Sequence, residues 1–407
     1  MKHAIALLAV ASYASADPLA LRADAFASTA APAGVLTLSG DGDLGSNLSA
    51  EAVVWTGRVA SDQAPADVLV MALHARTSDG RAAGTIGRFV ASLGALRPVQ
   101  VDGGSARVGL PHRLVLEAYA GVPVLPDLAT SRAWDWVVGG RASRRIGDWG
   151  SVGVAYMQQR TDGELATEEV GVDAGAALGT HDDVGGKVAY DVANPGLAEA
   201  TLSASDRHGS LRNEVYATYV AASHILPATS LFTVLGDVPA VRAGTVLSWR
   251  AAPRLDVSAD LAVRRSDGDA IDSVPVAAPA ITAPAPDRGE AIAPAIVLHA
   301  TLRLDDRGTS ALGGELRRDG SGDAGWTGAR ATARIALPYR LSASTELELV
   351  VPDRDRGLGR VWPWALAALT RVWGPWHAAI AVEAQASPED RSRLDVLAEL
   401  GRAWSVK

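Results

Sequence analysis

Charged side chains return at every second position on segment after segment of this chain, acid beside base. Glu315 and Arg317, then Arg330 and Arg334, then Arg340, Glu346 and Glu348 fall on three consecutive alternating segments. If such segments pair as strands, facing residues stand about 5 Å apart and opposite charges attract. Rows of Arg and Glu set across a water-filled space create a transverse field that sorts ions and polar solutes. Asp256, Asp260, Arg264, Glu383, Arg391, Arg393 and Asp395 belong to the same charged faces and carry both signs. The plainer reading of the whole set is a hydrated wall whose charges neutralise one another and select nothing.

Other chemistry finds less support. The absence of Cys removes disulfides, thiolate metal sites, c-type haem attachment and Cys nucleophiles together. His3, His74, His112, His181, His208, His224, His299 and His377 are scattered, and no pair has metal-ligand spacing. No G-x-S-x-G elbow is present. Asp41-Gly42-Asp43-Leu44-Gly45-Ser46-Asn47 offers oxygens at alternate positions, as calcium loops do, but lacks the closing bidentate Glu and reads as an Asp-Gly turn. No cofactor is expected. A formal net charge of −8 gives no electrostatic footprint for nucleic acid.

The elements that position the charged faces are strands. In Arg391 to Trp404, Arg391, Arg393, Asp395 and Glu399 lie on one face and Leu394, Val396, Ala398, Leu400 and Trp404 on the other. Tyr339 to Val350 and Arg254 to Arg264 repeat the pattern. Period two marks a strand with different surroundings on its two faces. A recurrent charged face cannot line a dry core, because unpaired buried carboxylates are costly. A closed barrel with a wet lumen and a lipid-facing wall satisfies both faces. The longest wholly apolar run, Ala4 to Ala11, is far short of the roughly 20 residues of a membrane helix, whereas spanning strands need only about 9–11.

Candidate strands total about 22. Setting aside the weakest, all N-terminal, leaves about 20, within a range of roughly 18 to 22 and even in number. Trp373-Gly374-Pro375-Trp376, Leu337-Pro338-Tyr339, Asp306-Arg307-Gly308, Ala252-Pro253, His208-Gly209-Ser210, Gly179-Thr180-His181, Gly147-Asp148 and Leu110-Pro111 read as tight turns. They alternate with other connections, several longer, as short periplasmic turns alternate with extracellular loops. The final strand then runs towards the periplasm. Residues 223–237 are apolar enough to fold into the lumen or, at least as readily, to pack against the barrel rim or a neighbouring subunit, and residues 273–287, rich in Pro and Ala, read as an extended loop. Trp134, Trp149, Trp249, Trp326, Trp362, Trp364, Trp373, Trp376 and Trp404 fall near strand ends, where indoles favour a membrane interface. Met1-Lys2-His3, the apolar run and Ala14-Ser15-Ala16 form a short secretory signal. Residues 1–16 are thus a signal peptide and residues 17–407 one barrel domain.

The stretch from Gly87-Arg88-Phe89 through Val101-Asp102-Gly103 to Leu116-Glu117-Ala118-Tyr119-Ala120-Gly121-Val122-Pro123 resembles a pattern of porin-like outer membrane proteins of Gram-negative bacteria. There a Gly-Arg strand precedes an Asp-Gly turn and a Glu-Ala-x-x-Gly-x-Pro strand end. The resemblance implies a barrel that passes or holds small polar solutes, and no catalytic residues travel with it. The expectation is an all-β, closed antiparallel transmembrane barrel. It would sit in outer membrane lipid, be inserted by the barrel-assembly machinery, and act singly or as a homo-oligomer. Its function would be passive or weakly selective passage of small polar solutes, without enzyme activity. The rivals are a scaffold or sheath for a partner protein and, behind it, a hydrolase whose Ser-His-Asp triad is assembled across strands.

Overall fold

Alternating sequence is satisfied only if each strand finds a neighbour for its N–H and C=O groups, since a strand end left open to lipid would strand those groups without partners. The computed structural model meets this with one continuous antiparallel ring. It describes residues 19–29, 33–58, 66–124, 135–221, 240–266, 291–320, 325–353, 361–386 and 392–406. The first eight strands are β1 (Leu19–Ser28), β2 (Ala33–Gly45), β3 (Leu48–Arg58), β4 (Ala66–Arg76), β5 (Ala82–Ala91), β6 (Val99–Leu110), β7 (Leu114–Pro123) and β8 (Trp136–Ile146). Next come β9 (Gly150–Thr161), β10 (Glu164–Ala177), β11 (Asp182–Asp191), β12 (Gly196–His208), β13 (Leu211–Val220), β14 (Ala240–Ala252) and β15 (Leu255–Ser266). The last are β16 (Ala291–Arg303), β17 (Ala311–Asp319), β18 (Trp326–Leu337), β19 (Leu341–Pro352), β20 (Trp362–Trp373), β21 (Trp376–Gln385) and β22 (Arg393–Val406).

Every strand pairs with its neighbours in sequence, and β1 closes on β22 from Leu19↔Val406 to Ser28↔Leu397. All 22 candidate segments are strands, the weakly patterned N-terminal ones included, so the described residues form 22 strands, the upper end of the expected range of 18 to 22. No helix among the described residues is long and apolar enough to cross a membrane. The tight turns expected from sequence all lie on one rim, which also holds the start of β1 and the end of β22, and the opposite rim carries a further two-residue reversal at Asp162-Gly163. Two of the expected turns, Pro111–Arg113 and Pro338–Arg340, are single 3-10 turns that reverse the chain with positive φ at His112, Arg113, Tyr339 and Arg340.

Two local expectations fail for one reason. Asp41 to Asp43 lies inside β2, with the reversal at Ser46-Asn47, and Asp102-Gly103 lies inside β6, opposite Val122 and Gly121. In an alternating strand an Asp-Gly pair is simply one residue on each face, and nothing in the dipeptide alone separates that from a turn.

The outer face carries the exposed apolar side chains, among them Leu38, Ile86, Val154, Leu202, Val263, Leu316, Leu347 and Leu394. Several charges on this face stand at the rims beside aromatics, and others pair with one another, as Arg88 does with Asp67 and Asp102. On the short-turn rim Arg402 stands 4.9 Å from the Trp376 ring and 5.7 Å from that of Trp404, and Arg371 stands 5.8 Å from Trp373. Arg160 lies 6.0 Å from Trp136 on the opposite rim. Such pairs suit an interface, where the guanidinium keeps water and the ring meets the apolar band. Trp249, Trp373, Trp376 and Trp404 face outward, whereas Trp326, Trp362 and Trp364 share the inner face of their strands with Gly328, Leu366 and Glu383. Trp134 and the segments 223–237 and 273–287 lie outside the described residues.

Candidate functional site

The inner wall is the candidate site, and its most distinctive part is the connection between β5 and β6. Residues 92–98, Ser-Leu-Gly-Ala-Leu-Arg-Pro, contain no Asn or Asp, and Leu93, Ala95 and Leu96 are buried. Leu93 and Leu96 pack with Phe89, Ala91, Val101, Tyr119, Val137, Ala155 and Met157, contributed by strands β5 to β9. Arg97 reaches β10, where its Nε donates to Glu169 Oε1 at 2.6 Å and Glu169 is fully buried. A loop that bridges β5 to β10 can cross only on the concave side, so the segment folds into the lumen. A glycine is required at its tip. Gly94 has φ +58, and a Cβ there would collide with Asp173 Oδ1 and the Arg141 side chain.

Beneath this loop lies a charge cluster. Arg141 donates from Nη1 to Glu117 at 3.0 Å and from Nη2 to Asp173 at 2.6 Å, and Arg107 approaches Glu117 at 3.5 Å. Around the rest of the ring the inner faces carry further pairs: Lys187 with Glu199 at 2.5 Å, Arg242 with Asp260 at 2.6 Å, and His74 with Glu51 at 3.2 Å. Alternation makes these side chains converge on one side of each strand, and antiparallel register brings acid opposite base.

Most residues singled out from sequence sit on this inner face, each beside a partner. Asp256 accepts from Arg303 and, at 3.3 Å, from Arg250. Asp260 also accepts from the Tyr216 hydroxyl at 2.8 Å. Arg264 lies 4.0 Å from Asp319. Glu315 pairs with Arg317, Arg330 with Glu346, and Arg330 stands opposite Glu348 in register. Glu383 accepts from the Trp364 indole at 2.6 Å, and Arg393 donates to the buried Asp395 at 2.6 Å. Arg334 is drawn to the rim, donating to the Gly308 carbonyl at 2.8 Å. Arg340 does not belong to the wall: it ends the Pro338–Arg340 turn with φ 58, because the reversal starts at the proline. Arg391 lies outside the described residues.

Sequence reading missed the inward loop and its Arg97–Glu169 pair. The available signal was an apolar connection without Asn, Asp or a polar Gly turn, followed by Arg-Pro. It also missed Asp24, His377 and Glu399, which come together only when β1 closes on β22.

No protein-family model matches the chain, and neither does any curated protein sequence. Solved structures do match in fold. A mutant of the ferric enterobactin receptor PfeA from Pseudomonas aeruginosa is 9% identical with a TM-score of 0.59, over 96% of this chain and 81% of that one. The siderophore receptor PirA of the same organism is 11% identical with a TM-score of 0.55, over 95% of this chain and 80% of that one. A chain of the E. coli P pilus tip assembly intermediate PapC-PapD-PapK-PapG is 11% identical with a TM-score of 0.52, over 97% of this chain and 61% of that one. The likeness is one of architecture: a closed antiparallel barrel of the outer membrane type.

Proposed function

We propose that the protein is an outer membrane channel giving weakly selective passage to small polar solutes, narrowed from one side by the 92–98 loop. The observation that carries this reading is the contrast between the two faces of a single closed wall, ion-paired and polar within, apolar without. Water inside is the only medium that suits so many charges, and their pairing leaves little net field to favour one ion sign. Barrels of about 22 strands in the large transporters hold a plugged lumen. Here the described occupant of the lumen is the short loop that hugs the β5–β10 wall. Residues 1–16 would direct export, the short-turn rim would face the periplasm, and the long connections would face outward. The same reading assigns the protein no catalysis and gives it outer membrane lipid, the barrel-assembly machinery and small polar solutes as partners.

Conductance of the purified barrel in a planar bilayer tests the proposal. The native protein is expected to give ohmic current with a reversal potential close to zero under a salt gradient. Arg330→Glu with Arg334→Glu should shift that potential towards cation preference, since lumen substitutions tune selectivity. Stable insertion without current would refute the channel.

A further inference from the structure

We infer that Asp24, His377 and Glu399 form a binding site for one divalent transition-metal cation, Zn²⁺ in character, on the inner wall where the barrel closes. The site goes beyond the channel reading and does not depend on it. His377 Nε2 lies 3.0 Å from Asp24 Oδ1 and 2.9 Å from Glu399 Oε1. One imidazole proton can serve one of those oxygens and not both. Asp24 is only 7% exposed, and its Oδ1 has no hydrogen-bond partner although it points into the cluster. A cation taking one lone pair from each of the three groups resolves the conflict.

The surroundings are built for it. Arg22 donates from Nε to Asp24 Oδ2 at 2.6 Å, which fixes the carboxylate and leaves Oδ1 for a ligand. Oriented carboxylates of this kind are how outer groups set a metal's ligands. The Arg22 Nη2, 3.3 Å from His377 Nε2 and 3.7 Å from Glu399, holds the place the ion would take and swings aside when it binds. Two carboxylates against one guanidinium leave a net negative charge with His377 neutral. The backbone makes the room: a Cβ on Gly401 would collide with Asp24 Oδ1 and with the His377 ring. Tetrahedral bonds of about 2.0 Å place ligand atoms about 3.3 Å apart, so each oxygen needs to move from His377 Nε2 by only a few tenths of an ångström. One imidazole nitrogen with carboxylate oxygens suits zinc and its neighbours better than calcium or magnesium, which take oxygen shells. The ligands come from β1, β21 and β22, so the ion would bridge the seam between the two ends of the ring.

Calorimetric titration of ZnCl2 into the folded, EDTA-treated barrel in detergent tests the inference. The expected result is one saturable site, with MgCl2 giving none. His377→Ala and Asp24→Asn should each weaken binding at least about tenfold, the lower bound for disturbing even an outer partner. Gly401→Ala should do the same by filling the space. His74→Ala, a change at the other described inner-wall His–Glu pair, should leave the affinity as it was. A heat-dependent shift on SDS gels shows whether each variant has folded. If a variant fails to fold, the native protein still decides the matter: Zn²⁺ should protect His377 from carbethoxylation, read by mass spectrometry. Absence of saturable binding, undiminished affinity in the folded His377→Ala and Asp24→Asn barrels, or no protection of His377 would each overturn the site.

Discussion

Glu169 is a carboxylate with no water around it, and Arg97 is the cation that makes this tolerable. Removing one member of a buried pair leaves an uncompensated charge and costs about 3–5 kcal/mol. Arg97→Ala should therefore lower the urea midpoint of the barrel in detergent, and the freed loop should raise single-channel conductance. Arg97→Ala with Glu169→Gln should recover much of the stability while the larger conductance persists. A second residue acts on the short-turn rim. Asp305 accepts from the Thr309 hydroxyl at 2.8 Å and from the backbone N–H groups of Thr309 and Ser310 at 2.9 and 2.6 Å. The Thr309 hydroxyl, then these amides, hold its carboxyl well below the usual carboxylate range. A depressed folded value means the contribution is complete above the unfolded carboxylate's pKa, near 3.9, and disappears as pH falls through the folded one. The 304–310 turn should keep its amide protection at pH near 4 and lose it only in stronger acid, and Asp305→Asn should remove that acid step from a hydrogen-exchange profile. The pairing of Arg97 with Glu169 was invisible in sequence. Arg97 and Glu169 are 72 positions apart, and pairing between charged residues at such separation is fixed by strand register, which no local pattern encodes.

At the scale of the strand, alternation was legible wherever the two faces meet different media. β15, β18, β19 and β22 show it plainly, and their inner and outer residues fall as the period demands. In β5 to β9 the rhythm blurs because the inner face meets the 92–98 loop and not water, so Phe89, Val101, Tyr119, Val137 and Met157 replace polar residues there. The strands set aside are the weakest of those before Leu110, a region that includes β5 and β6, although these pair as regularly as the rest. Arg340 was misplaced for a related reason, since period two continues on paper through a proline turn that ends the strand. The face assignment of β18 gives a direct test. Ala333 points outward near mid-strand and Thr332 inward, opposite Gly313 and Glu346. Ala333→Arg should cost about 2–4 kcal/mol when folding into lipid vesicles is titrated with urea, whereas Thr332→Arg should cost far less. Equal losses at the two positions would mean that the wall is not lipid on one side and water on the other.

Over the whole molecule, 21 of the 22 ladders join strands adjacent in sequence, and the ladder between β1 and β22 is the exception. Local ladders form hairpin by hairpin, while the remaining one must bring together residues at opposite ends of the chain. Leu19 faces Val406 across that ladder, so the two ends of the ring are already neighbours. A chain rewritten to start at Ser210 and finish at Gly209, with a few-residue linker joining residue 406 to residue 19, should fold to the same heat-resistant barrel and the same conductance. Loss of the gel shift would mean that closure between β1 and β22 must come last. The even number of strands that sets both ends on the short-turn rim thus gives the barrel the geometry of a bracelet. Which link carries the clasp is a property of the gene's reading order, and the fold itself would close as well at any of the short turns along that rim.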